Sequence, residues 1–236
     1  MPLPVINAPT YELTIPSTGQ TVQYRPFLVK EEKILLMANE GGEPKEIVRA
    51  MKQIIGNCIQ DGYNTDNMPL FDVEYIFLKL RSKSVNEISE IGFRCPTCEE
   101  VNRIVVDLSS VEVMNTENHT NQIPLIDDVG LIMKYPQLDS INMTDLDSAN
   151  VDDVFNVVSS CIDSIYQGEE IHDSSDYTQQ EIQDFINNLT QEQFQKIQDF
   201  FDTMPKLSHT VQYNCSKCEY DEPLVLEGLQ NFFAYG

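Results

Sequence analysis

Two short stretches of this 236-residue chain carry residues that can do chemistry. "FRCPTCEEVNRIVVDL" runs from Phe93 to Leu108, and "YNCSKCEYDEPLVLEG" runs from Tyr213 to Gly228. Each holds a CxxC, an aromatic residue two positions before it, and a β-like apolar run after it. A CxxC at a hairpin turn presents two sulfurs to one ion without strain, and two such turns complete a tetrahedral shell of four thiolates. Cys95, Cys98, Cys215 and Cys218 are therefore the candidate ligands of a structural zinc ion. Four cysteines leave no open position for a substrate, so a catalytic metal is not expected. Four thiolates and one Zn²⁺ leave about −2 of charge, which Arg94 and Lys217 are placed in sequence to offset. The rival chemistry is dithiol redox. A reactive CxxC sits after a strand at a helix N-terminus, where the dipole lowers the thiol pKa, whereas here β-like segments follow both pairs.

Little else in the chain has the spacing of a site. There is no phosphate-binding glycine loop, dinucleotide fingerprint, HExxH helix or nucleophile elbow. His119 and His172 fall in polar loops and His209 in a strand, none with a ligand partner at metal spacing; they read as surface or lightly packed residues. The acid-rich "DLDSANVDD" lacks the glycine and terminal glutamate of an EF-hand loop. Cys58 and Cys161 sit on apolar helix faces and read as small buried hydrophobes. The net charge of −23 excludes a nucleic-acid partner and an anionic membrane surface, and it favours a basic protein partner or a solvated acidic face. No apolar run approaches the roughly 20 residues of a membrane span. The N-terminus lacks the basic and apolar regions of a secretory signal, which predicts a cytosolic protein.

The elements that must hold the cysteines follow from period and punctuation. Residues 1–10 read as an extended arm and 11–27 as a hairpin. Helices are expected at "VKEEKILLMANE", at "EPKEIVRAMKQIIGNCIQ", and at "LFDVEYIFLKLRSKSV", the last apolar enough to be central. Strands flank the first CxxC. "QIPLI" and "LIMKYP" form strands about a turn at Asp127–Gly130. "NVDDVFNVVSSCIDSIYQ" reads as one helix with Asn150 as N-cap. Two further helices open with capping boxes, Thr178 to Glu181 and Thr190 to Gln193. "LSHTVQYN" and "PLVLEG" are strands around the second CxxC, and "GLQNFFAYG" is a short helix whose aromatic residues, Phe232, Phe233 and Tyr235, tuck against the cysteine site or, as the alternative, dock a partner.

These elements come twice in the same order: glycine turn, strand ending in Tyr-Arg-Pro or Lys-Tyr-Pro, helix ending in Cys-Ile-x-x-x-Tyr, helical region, strand, CxxC. The expected fold is α+β, as two similar halves joined by a zinc-ribbon-like site with one CxxC hairpin from each. The first half spans 11–114, a polar connector 115–122, and the second half 123–236.

"PSTGQTVQYRPFLVKEEKILLMA", "FLKLRSKSV", the CPTC hairpin and "CSKCEYDEPLVLEGLQNFF" resemble the baseplate hub subunit and hub-assembly family of T-even-type contractile-tailed bacteriophages. The resemblance covers about Tyr11 to Phe233. It implies a non-enzymatic protein that binds other baseplate and hub proteins, made in the host cytoplasm and placed in the virion tail if retained. Family members are described both as hub components and as assembly factors absent from the finished particle. The alternatives outside that family are a zinc-ribbon adaptor that binds protein and a dithiol oxidoreductase.

Overall fold

A computed structural model describes residues 6–60, 63–138 and 151–232. The chain forms two compact units. One combines Met1–Met114 with Lys206–Gly236, and the other is the continuous stretch Asn115–Pro205. The class is mixed α+β. This division runs across the boundary drawn from the sequence, because the stretch carrying the second CxxC belongs with the first.

The first unit opens with a hairpin, β1 (Tyr11–Thr14) and β2 (Thr21–Tyr24). Gly19 closes its turn at φ 68°, a conformation that glycine adopts without cost. Three helices follow, α1 (Val29–Gly41), α2 (Pro44–Cys58) and α3 (Leu70–Ser84). The N-terminus of α1 depends on a buried ion pair. Glu31 accepts from the Leu28 N–H at 2.9 Å and from Arg25 Nη2 at 3.0 Å. The Arg25 side chain also donates to the Asn57 carbonyl, so one guanidinium ties the hairpin to α1 and α2. The apolar stripe of α2 is buried as its period predicts, including Met51, Ile54, Ile55 and Cys58. In α3, Val73, Ile76, Leu78 and Leu80 are fully enclosed, each side chain contributing about 1.5–3 kcal/mol. That makes α3 the central element of this unit. Asp72 accepts from the Ser17 backbone at 3.0 Å and Glu74 from the Leu229 N–H at 3.0 Å, so α3 anchors both the first turn and the return segment.

Next come β3 (Ile88–Arg94) and β4 (Val101–Asp107), an antiparallel hairpin, and then the short β5 (Glu112–Met114). The second unit begins here. Its sheet is a four-stranded antiparallel meander, β6 (Gln122–Ile126), β7 (Val129–Met133), β8 (Ile162–Gln167) and β9 (Glu170–Asp173). Helices α4 (Val151–Ser160), α5 (Gln179–Asn187) and α6 (Gln191–Thr203) complete it. Its core gathers Ile123, Leu131, Met133, Ile162, Ile182, Ile197 and Phe200. Both expected capping boxes are present, with Thr178 accepting from the Glu181 N–H and Thr190 from the Gln193 N–H.

The single helix expected from 150 to 167 is corrected. It ends at Ser160, and "IDSIYQ" is β8, paired with β7 on one side and β9 on the other. Ile162 and Ser164 point inward and Asp163 outward, a period-2 alternation that the helical reading overlooked. Asn150, the expected cap, and most of the acid-rich segment lie outside the described residues.

The chain returns to the first unit with β10 (Lys206–Val211) and β11 (Leu224–Glu227), in a three-stranded sheet ordered β11-β10-β5. A 3₁₀ turn, Leu229–Phe232, follows, with the Phe232 ring fully buried. Phe233 and Tyr235 lie outside the described residues.

The turn glycine expected at position 130 is also corrected. Asp127, at φ 47°, carries the left-handed turn, and Gly130 lies inside β7. A Cβ at Gly130 would collide with the Tyr166 ring and stand 2.6 Å from the Ile123 carbonyl oxygen, which is backbone and cannot swing away. Gly130→Ala is expected to lower stability by about 1–3 kcal/mol, as overpacking does, read as a lower urea midpoint at unchanged slope. A neutral result would show that this close approach does not constrain the sheet.

Candidate metal centre

The residues between β3 and β4 form the first cysteine turn. The Cys95 N–H donates to the Glu100 carbonyl at 2.9 Å and the Glu99 N–H to the Cys95 carbonyl at 2.9 Å. Glu99 holds φ 58° to make the reversal. The second turn, between β10 and β11, is closed by the same kind of bond, Cys215 N–H to the Tyr220 carbonyl at 2.9 Å. Both turns belong to the first unit.

The four sulfurs of Cys95, Cys98, Cys215 and Cys218 all lie within 4.8 Å of one another. The shortest separations cross between the turns, Cys95 to Cys218 and Cys98 to Cys215, each 3.6 Å. Sulfurs at the corners of a tetrahedron with a metal–sulfur bond of about 2.3 Å stand about 3.8 Å apart. A disulfide needs about 2.05 Å, and all six cysteines are free thiols. The cluster can therefore hold a metal ion. A thioredoxin-type redox centre uses one CxxC at a helix N-terminus. Here both pairs are on hairpin turns, and each sulfur has its close neighbour on the opposite turn.

Local hydrogen bonding already favours thiolate. The Lys217 N–H points at Cys215 Sγ, 3.4 Å away. That bond is the largest influence on Cys215 and holds its pKa down to about 5 against the effect of burial. Cys218 moves the other way. The Tyr220 backbone N–H lowers it, but burial and the three neighbouring thiols outweigh this and push it up to about 12. The metal-free cluster thus shares out its protons, as closely packed acids do, and a bound cation would have to displace those that remain.

The surrounding residues explain why two distant turns meet. Phe93 and Tyr213, the aromatics two positions before each CxxC, pack edge to face with ring centroids 4.9 Å apart. Asn102, buried on β4, is the polar link that sequence reasoning missed. Its Nδ2 donates to the Tyr213 hydroxyl at 2.7 Å and lies 3.7 Å from Cys215 Sγ. Its Oδ1 accepts from the Ser216 N–H at 3.0 Å and the Ser216 hydroxyl at 2.6 Å. The only signal in the sequence was a polar residue at an inward position of an alternating strand. Lys217, expected to offset the thiolate charge, pairs with Glu100 of the opposite turn at 2.8 Å and also feels the charge of Cys98 and Cys215. Arg94 is exposed and makes no ion pair among the described residues.

The remaining candidates take no part. Cys58 and Cys161 are buried at the ends of α2 and α4, and burial pushes both thiols up to about 11. His209 lies in β10 as expected. His172 lies in β9 rather than in a loop, bonded to the Tyr177 hydroxyl at 2.9 Å. His119 is more packed than expected: its ring lies against Tyr135 and Phe200, and its Nδ1 meets the Thr203 hydroxyl at 3.0 Å. Among the described residues, no second group of three or more metal-ligating side chains converges.

Two antiparallel hairpins, each carrying a CxxC at its turn and facing the other's sulfurs, define a protein with a closed four-thiol centre. The family is shown by comparison. The chain belongs to the T4 bacteriophage base plate protein family, whose model matches residues 8–234. It is similar to the "Baseplate hub assembly protein gp26" of Enterobacteria phage T4, at 22% identity over 224 residues, covering 94% of this chain and 97% of that protein. No solved structure matches the chain. Among the described residues, no helix is long and apolar enough to cross a membrane.

Outer-shell bonds of the Asn102 kind are typically worth 10–100-fold in metal affinity. Asn102→Ala is expected to weaken metal binding by roughly that factor in a competition with a chromophoric chelator. Unchanged affinity would show that the asparagine only packs.

Proposed function

We propose that this chain is a non-enzymatic structural or assembly protein of the phage tail baseplate hub, held together by one structural zinc ion. The family match over nearly the whole chain carries the first part of the reading. The converging thiols of Cys95, Cys98, Cys215 and Cys218 support the second. Four soft ligands in a near-tetrahedral arrangement are the donor set that zinc prefers. The two CxxC turns act as a staple, because the metal joins segments whose ligands lie 123 residues apart, Cys95 and Cys218.

The partners are other baseplate proteins. Asn115–Pro205 carries 2 basic and 18 acidic side chains, net −16, so that unit is the surface for a basic partner. The protein works in the host cytoplasm during assembly and, if retained, in the virion baseplate. We further propose that the chain arose by duplication of an α+β unit. Equivalent backbone bonds support this: the Arg25 N–H meets the Cys58 carbonyl at 3.0 Å, and the Lys134 N–H meets the Cys161 carbonyl at 2.7 Å. In both places a helix ends in a buried cysteine whose carbonyl caps the residue after a hairpin.

The zinc reading predicts one equivalent of zinc per purified chain and thiols silent until a chelator removes it. Cys98→Ser and Cys215→Ser should then destabilise the protein similarly, since each opens the same tetrahedron. Reactive thiols without metal, or an effect from only one of the two variants, would sink the single-site model. The role is decided by quantitative mass spectrometry of finished particles against a known tail subunit. A fixed integral copy number makes the chain a hub component. Presence only in assembly intermediates makes it an assembly factor, as the name of its T4 relative describes that protein. Absence from both would overturn the baseplate reading and favour a zinc-ribbon adaptor.

A further inference from the structure

The hairpin that carries the first cysteine turn has an edge that no strand pairs among the described residues. At its two ends the Cys95 N–H bonds to the Glu100 carbonyl and the Leu108 N–H to the Glu87 carbonyl. The register between them runs one to one without a bulge. In an antiparallel pair, ladder bonds fall on alternate residues. Ser89, Ile91 and Phe93 therefore bond inward to β4, and Glu90, Gly92 and Arg94 direct their N–H and C=O groups outward. No strand pairs with that side of β3 among the described residues.

A groove of about 690 Å³ runs along this edge, with β11 as its other wall. The same alternation applies to β11. The Gly228 N–H bonds to the Leu207 carbonyl, which turns the Val225 backbone groups away from β10. Gly92 leaves a notch in the outer face between Glu90 and Arg94. Exposed Val101, Val105 and Val225 lie around it, more β-branched apolar surface than a solvated edge needs. Natural edge strands are commonly covered, bulged, shortened or guarded by charge.

We propose that the outer edge of β3 receives an extended segment of a partner protein as an added antiparallel strand. Main-chain hydrogen bonds would supply affinity, and the side chains opposite Arg94, Gly92 and Glu90 would supply specificity. Charge complementarity sets the sequence. The residue facing Arg94 is acidic, the next on that face is large and fills the notch over Gly92, and the next faces Glu90 and is basic. Glu90 is held only loosely, by exposed Arg103 at 3.8 Å, so a partner cation can share it. This gives the scaffold role proposed above a contact chemistry and extends that reading.

The probe is the blocked peptide acetyl-Thr-Asp-Thr-Phe-Thr-Lys-Thr-amide, added to the full zinc-loaded chain, with amide hydrogen exchange followed by NMR. The amides of Glu90, Gly92 and Arg94 are expected to slow at least tenfold at saturation. The peptide with Asp and Lys exchanged should bind at least threefold more weakly, since two cross-strand charge pairs reverse sign. Glu90→Ala keeps the outward amide and should still bind, while Glu90→Pro loses the donor without touching the β4 ladder and should not. No slowing at these three amides, slowing elsewhere, or equal binding of both peptides overturns the proposal. Slowing that grows with protein concentration in the absence of peptide would make a second copy the occupant and overturn it equally. The peptide experiment reads the edge alone, so it can fail while the particle copy number stands, and the reverse.

Discussion

Sulfurs separated by 123 residues of sequence stand 3.6 Å apart, and the first unit is arranged around keeping them there. Two hairpins converge on one point, and the β3–β4 pair, which has no third strand among the described residues, would otherwise be a marginal two-stranded ribbon. The Phe93–Tyr213 ring contact and the bonds of Asn102 fasten the turns beside the sulfurs. Glu74 ties α3 to the segment that follows β11. The segment from Lys206 onward is also held to Met1–Met114 by the short β5–β10 pairing, by the Glu74–Leu229 bond and by the Ser89 hydroxyl donating to the Phe232 carbonyl.

Charge is partitioned along the same division. The first unit carries 13 basic and 20 acidic side chains, net −7, and the second is net −16. The basic residues of the first unit are largely committed: Arg25 to Glu31, Lys79 to Glu112, Lys217 to Glu100. The acids of the second unit have little to pair with. At physiological salt, charges are screened beyond about 8 Å, so the field of this acidic unit is felt only at close range.

Much of the fold was legible because its signals are local. The capping boxes at Thr178 and Thr190, the apolar stripe of α2 and the strands around each CxxC all emerged where short-range pattern places them. The failures have one cause. Residues 162–167 fit either period, and pairing with β7 decided it. Gly130 looked like a turn residue because glycine usually is, and only the Tyr166 ring above it explains its place in a strand. At the cysteine cluster the four residues that converge were readable from spacing, whereas Asn102 was not. An inward polar residue becomes meaningful only when Tyr213 and Ser216, more than a hundred positions away, are seen to surround it.

Met114 and Lys206 are cross-strand neighbours, so the whole of Asn115–Pro205 enters and leaves at one point of the first unit's sheet. Synthesis runs in one direction, and this inserted stretch is finished before the ribosome reaches the second CxxC. Its core comes from continuous sequence and can condense early. Cys95 and Cys98 must meanwhile wait, already made, with no Cys215 or Cys218 to meet. For that interval the fold offers the pair no opposite turn to meet. The order of translation therefore keeps the cysteine centre open until the inserted stretch is complete.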